Sequence, residues 1–142
     1  MRVVLDANVL VSAVISTAGA PRQIVAAWID GRFELVASPA LFEELRDVLD
    51  RPRLRRWVST ATAANFIDGL AEDAEVMDDP PAEPALSPDP DDDYLITLAR
   101  AAQADYLVSG DRHLLDLADP EPPVLTPRQF LDLLGPSRRL AP

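Results

Sequence analysis

The sequence predicts an α/β domain: a central, mainly parallel sheet of four to five strands with helices on both faces. Three observations carry this. Short apolar runs at residues 3–5, 33–37 and 106–108 alternate with longer stretches whose apolar residues recur at helical spacing. That rhythm continues to the end of the chain without an internal repeat, the pattern expected of successive βαβ units. With 142 residues, 48% of them hydrophobic, the chain can bury one core without staples. A single domain over residues 1–134 is expected, followed by a flexible tail over 135–142.

Taken in order, Val3, Val4 and Leu5 form a buried-strand pattern that stops at Asp6, with Asn8 two positions on. Residues 9–15 suit a helix with Asn8 near its N-cap. Residues 17–21 interrupt it. Ile24, Val25, Trp28 and Ile29 then mark a second helix, which Gly31 stops. After the strand at 33–37, Ser38-Pro39 matches an N-cap with proline at the first helical position. The helix so opened carries Leu41, Leu45, Val48 and Leu49 on one side, and Glu43 and Glu44 between them.

Residues 51–58 form a basic loop or helix start, 61–74 a helix with Phe66, Ile67 and Leu70 as its apolar face, and 75–77 a weak third strand. From 78 to 93 the composition turns to Pro and acid. The short remainder of the chain makes this a loop inside one domain rather than an interdomain linker. Residues 94–102 are a strongly apolar helix whose first turn carries the Asp cluster, where the helix dipole favours negative charge. Residues 105–111 repeat the opening logic, an apolar run and then Ser109, Gly110 and Asp111. A last strand at 124–125 and a helix opened by Thr126-Pro127 and running to Leu134 complete the order.

Composition narrows the chemistry. There is no Cys, which excludes disulfides, thiolate metal sites and a Cys nucleophile, so a metal would be held by oxygen. No apolar run approaches the roughly 18 residues of a membrane span, and Asp6 interrupts the place where a signal peptide needs its apolar core. A soluble, cytoplasmic protein with no membrane partner is expected. The balance is 24 acidic against 13 basic residues, net −11, with every basic residue an Arg. Phosphate contacts normally dominate nucleic-acid affinity, so the sum argues against such a partner. The distribution does not: Arg51, Arg53, Arg55 and Arg56 cluster, and no basic residue follows until Arg100.

In a right-handed parallel sheet, strand C-termini and the helix N-termini that follow them share one edge. Asp6, Glu44, Asp92 and Asp111 can therefore reach one cleft, the edge where ligands bind in open α/β sheets. Carboxylates crowded together take up protons or a cation. Hard divalent cations prefer oxygen ligands and suit phosphodiester hydrolysis, activating water and stabilising the leaving oxygen. Each acid also has a structural reading: Asp6 as a helix cap, Glu44 as a solvated face residue with Glu43 its rival, the acids at 89–93 and Asp111 as turn or cap residues.

The sequence resembles a PIN domain, the PilT N-terminal nuclease family, and in particular the VapC-like toxins of bacterial toxin–antitoxin pairs. Val-Val-Leu-Asp6-Ala-Asn8 resembles the opening motif, Asp89-Pro90-Asp91-Asp92 with Leu95 and Ala99 the third-acid helix, and Tyr106 through Ser109-Gly-Asp111-Arg-His-Leu-Leu the fourth-acid segment. His113 departs from the pattern, standing where the family often has an acid. The resemblance implies a three-layer α/β/α, PIN-like (Rossmann-like) fold. It implies that Asp6, Glu44, Asp92 and Asp111 form an acidic quartet binding Mg²⁺ or Mn²⁺ for single-stranded RNA cleavage. Asp6, Asp92 and Asp111 would be the principal metal ligands, Glu44 would orient water or complete the shell, and Asn8 and Ser109 would support them by hydrogen bonding. Asp91 is the next candidate for the third acid. A cognate antitoxin and a homodimer are implied as partners, with Trp28 and Trp57 as interface anchors. Arg51, Arg53, Arg55 and Arg56 would guide RNA phosphates, or meet an acidic antitoxin segment, or form a solvated patch. The competing reading is a catalytically inactive PIN domain that survives as a protein- or RNA-binding module. Aspartyl phosphoryl transfer and a receiver domain both need a Lys, which is absent.

Overall fold

The computed structural model describes residues 1–16, 18–81 and 93–136. Its strands are β1 (Arg2–Leu5), β2 (Glu34–Ala37), β3 (Glu75–Val76), β4 (Tyr106–Val108) and β5 (Val124–Leu125). They form one sheet in the order β3-β2-β1-β4-β5, every neighbouring pair parallel. The central strand is the chain's first. Val4 pairs with Val36 on one side and Leu107 on the other, and Val3, Val4 and Leu5 are all fully buried. Successive side chains of a strand point to opposite faces, so burial of all three requires cover on both. The expected mainly parallel sheet is wholly parallel.

The helices are α1 (Ala7–Ile15), α2 (Ala20–Ile29), α3 (Pro39–Leu49), α4 (Thr60–Asp73), α5 (Asp93–Ala101), α6 (Arg112–Leu115) and α7 (Pro127–Leu134), with a 3₁₀ segment at Pro52–Arg56. α5 lies against β1 and β4; α1 packs on α2 and α3, α3 on α4, and α2 on α7. Their boundaries follow local chemistry. Gly31 takes a left-handed φ of +78°, and its N–H returns to the Trp28 carbonyl, closing α2. Ser38 caps α3 with Pro39 behind it. Thr126 and Gln129 form a reciprocal capping box that opens α7. The first helix begins two residues earlier than its sequence suggests: Asp6, not Asn8, is its N-cap.

Among the described residues no single helix is long and apolar enough to cross a membrane. The chain end is tied to the body at least as far as Gly135, because Arg32 donates to the carbonyls of Leu134 and Gly135.

α7 is held by Phe130, which is fully buried and meets Phe33 edge to face with ring centroids 5.2 Å apart. Phe130→Ala is expected to destabilise the protein by about 3–5 kcal/mol, read as a lower urea midpoint at unchanged m-value.

Candidate active site

Strand order reverses between β1 and β4: the chain winds outward from β1 through β2 to β3, then returns to β4 on the other side. Such a switch point opens a crevice at the strand C-termini. Asp6 leaves β1 there and Ser109 leaves β4 there, and the Asp6 N–H donates to the Val108 carbonyl at 2.9 Å.

The two side chains meet directly. Ser109 Oγ donates to Asp6 Oδ2 at 2.7 Å, and both residues are buried. Asp6 Oδ1 accepts the Asn8 backbone N–H at 3.2 Å, so the carboxylate that caps α1 also receives the Ser109 hydroxyl. Ser109 Oγ in turn accepts the Asp111 N–H at 2.9 Å. Asp111 caps α6, its Oδ1 accepting the His113 N–H at 2.8 Å, while the His113 ring stands 3.7 Å from the same oxygen.

Burial pushes the Asp6 carboxyl above its ordinary pKa, and the charge of Asp111 pushes the same way. The hydrogen bonds from Ser109, Asn8 and Ala7 oppose this without overcoming it. Among the described residues no basic side chain is a cause of that shift. A buried carboxylate next to a second one, with a hydroxyl between them, offers oxygen donors of the kind a hard divalent cation takes.

The remaining expected residues are placed as follows. Glu44, on α3, is half-buried and accepts a hydrogen bond from the Tyr94 hydroxyl in the first turn of α5, whereas its rival Glu43 is exposed. Asp91 and Asp92 lie outside the described residues; Asp93, which opens α5, is half-buried. Among the described residues no three acidic or His side chains stand close enough together to hold a metal ion. Asn8 contributes its backbone N–H, and its side chain is exposed. Arg51, Arg53 and Arg56 are exposed, with Arg56 stacked 5.0 Å over the Trp57 ring. Arg55 differs from them: it donates to the carbonyls of Leu49 and Val58 and holds the 3₁₀ segment to the end of α3. Trp28 is packed against the core, while Trp57 is 57% exposed.

Two residues escaped the sequence reading. Asp79, in the acidic stretch, accepts the Ala40 N–H at 2.9 Å and shares the capping of α3 with Ser38. Tyr94 looked like one more apolar residue of its helix; its hydroxyl contact had no local signal. A cavity of about 530 Å³ between α2 and α7 lies elsewhere. Its acids, Asp30 and Asp132, are exposed, and its Arg32 serves backbone carbonyls, so nothing there concentrates charge as Asp6 does.

A carboxyl whose pKa rises on folding binds its proton more tightly in the native state. Its contribution to stability is therefore greatest below the unfolded pKa and is lost as pH rises through the folded one. Asp6→Asn removes the buried charge and keeps a good N-cap. In chelator, the variant is expected to melt several degrees above wild type near about pH 7, the gain vanishing toward about pH 4. Melting curves across that range check it.

Comparison with known proteins gives the same picture. A family model described as PIN domain matches residues 2–113. Over 141 residues the chain is 25% identical to an uncharacterized protein, MJ1680, of Methanocaldococcus jannaschii, the alignment covering 93% of this chain and 90% of that protein. The crystal structure of PAE2754 from Pyrobaculum aerophilum shares the fold with a TM-score of 0.64 and 19% identity, over 94% of this chain and 89% of that one. The family match runs from the strand that delivers Asp6 through the segment bearing Ser109 and Asp111, and on that span the chain belongs to the PIN domain family.

Proposed function

We propose that the protein is a divalent-metal-dependent endoribonuclease that cleaves single-stranded RNA, and that it is the toxin of a cytoplasmic toxin–antitoxin pair. PIN domains are generally nucleases, which supports a hydrolase, and PIN nucleases generally use divalent metals. The observation that carries the reading here is the buried Asp6, hydrogen-bonded to Ser109 and charge-coupled to Asp111 at the switch point of the sheet. The toxin and RNA assignments rest on the motif resemblance, and the antitoxin is the partner they entail.

A Mg²⁺ or Mn²⁺ ion, when bound, supplies positive charge for water activation and for the leaving oxygen. Asp6 and Asp111 would hold it together with Asp92. Asp91 is the neighbouring candidate. Ser109 fixes the rotamer of Asp6 and, through the Asp111 N–H, the start of the turn that presents Asp111. Glu44 orients the attacking water or completes the shell. Arg51, Arg53 and Arg56 meet the RNA phosphates, while Arg55 maintains the segment that displays them. The protein works as a homodimer, for which Trp57 is the available anchor because Trp28 is already packed against the core.

Purified protein is expected to cleave single-stranded RNA with Mg²⁺ or Mn²⁺, and Asp6→Asn to abolish cleavage while the fold persists. Ser109→Ala is expected to cost roughly 10- to 100-fold in activity, the scale for a group that orients a metal ligand. Wild type that binds neither cation and cleaves no RNA sinks the proposal. Arg51→Gln, Arg53→Gln and Arg56→Gln combined are expected to raise KM, leave kcat unchanged and flatten the salt dependence of binding. An unaltered salt slope would remove these arginines from the RNA path.

A further inference from the structure

We propose that Tyr94 is the positioning residue for Glu44, an inference that rests on the nuclease reading above. The Tyr94 hydroxyl donates to Glu44 Oε2 across 50 positions of sequence, joining α3 to the first turn of α5. A glutamate on a helix surface samples several rotamers, and its two oxygens are equivalent until something distinguishes them. Here one oxygen is committed to a phenol, which selects the rotamer in which the carboxylate is presented. The same contact sets the spacing of two elements. Tyr94 follows Asp93 directly, at the point where the segment bearing Asp91 and Asp92 enters α5. One hydrogen bond therefore registers the acid of α3 against the opening of α5.

The hydroxyl is separable from the ring. Tyr94 is half-buried, and its ring packs against the hydrophobic core. Phenylalanine keeps that packing and deletes only the donor. A merely structural tyrosine would lose stability through its ring and little through its hydroxyl; a positioning tyrosine loses its function with the hydroxyl alone.

The test compares wild type, Tyr94→Phe, Glu44→Gln and the double variant on single-stranded RNA with Mn²⁺, and records the metal-free Glu44 carboxylate ¹³C resonance by NMR. Tyr94→Phe is expected to stay folded, with kcat down roughly 10- to 100-fold and KM unchanged. It should add less than about twofold to the loss already caused by Glu44→Gln, since the two act as one unit. The Glu44 resonance should shift in Tyr94→Phe. Wild-type kcat in Tyr94→Phe, losses that multiply independently in the double variant, or an unmoved resonance each overturn the inference. If wild type itself cleaves nothing, both readings fall; if wild type and Tyr94→Phe are equally active, only this one does.

Discussion

The hydrogen bond from Ser109 Oγ to Asp6 Oδ2 joins the ends of the two strands between which the sheet reverses its order, and it does so out of reach of water. A hydrogen bond to a charged group contributes about 1.5–3 kcal/mol, and burying a carboxylate costs more than that unless it is fully compensated. The upward shift of the Asp6 pKa shows which effect wins: desolvation, with Asp111 adding to it, exceeds what Ser109, Asn8 and Ala7 return. The fold thus maintains a carboxylate in a place where it is electrostatically unfavourable. Perturbed carboxyls cluster at functional sites, and the C-terminal edge of a parallel sheet is where ligands bind in such folds, which supports the nuclease proposal.

The rest of the structure secures that arrangement. β1 is the central strand and is buried on both faces, so the Asp6 backbone has little freedom to retreat toward solvent. The Asp6 carboxylate also caps α1, so one oxygen takes the Asn8 N–H while the other takes the Ser109 hydroxyl. Ser109 plays a similar double part, donating to Asp6 and accepting from the Asp111 N–H, so its hydroxyl links the two acidic residues. Second-layer contacts of this sort decide whether a ligand carboxylate points where it must.

Much of this was legible because it is local. Strand ends, the Ser38-Pro39 and Thr126-Pro127 helix starts and the Gly31 stop depend on residues within a few positions of one another, and sequence displays them. The pairing of Asp6 with Ser109 was legible only in outline, because two similar strand-end motifs imply neighbouring strands without fixing which side chains touch. Long-range contacts left no trace. Nothing near Arg55 distinguishes it from Arg53 or Arg56, yet it alone of the three donates to the Leu49 and Val58 carbonyls. Nothing near Asp79 separates a cap of α3, 39 residues away, from the other acids of its stretch. The Tyr94 contact that distinguishes Glu44 from Glu43 likewise spans a distance no periodicity encodes.

The overall charge takes on meaning once the arginines are placed. In a chain of net charge −11, Arg22, Arg32, Arg55 and Arg100 direct guanidinium groups to backbone carbonyls, and Arg2 pairs with Glu75. Among the described residues these guanidinium groups are thereby tied to the fold's own carbonyls and acids, and none of these five arginines is a cause of the Asp6 shift. The arginines left exposed include Arg51, Arg53 and Arg56 together, with Arg46, Arg112 and Arg128 apart from them. On the nuclease reading proposed above, a counter-charge for Asp6 and Asp111 would come with the reaction. A divalent cation would provide it most economically, since one ion would offset both the buried carboxylate and the phosphate brought to it. On that reading, the acidity that argues against nucleic-acid binding when summed over the chain would, beside Asp6 and Asp111, favour a metal-assisted attack on a phosphodiester.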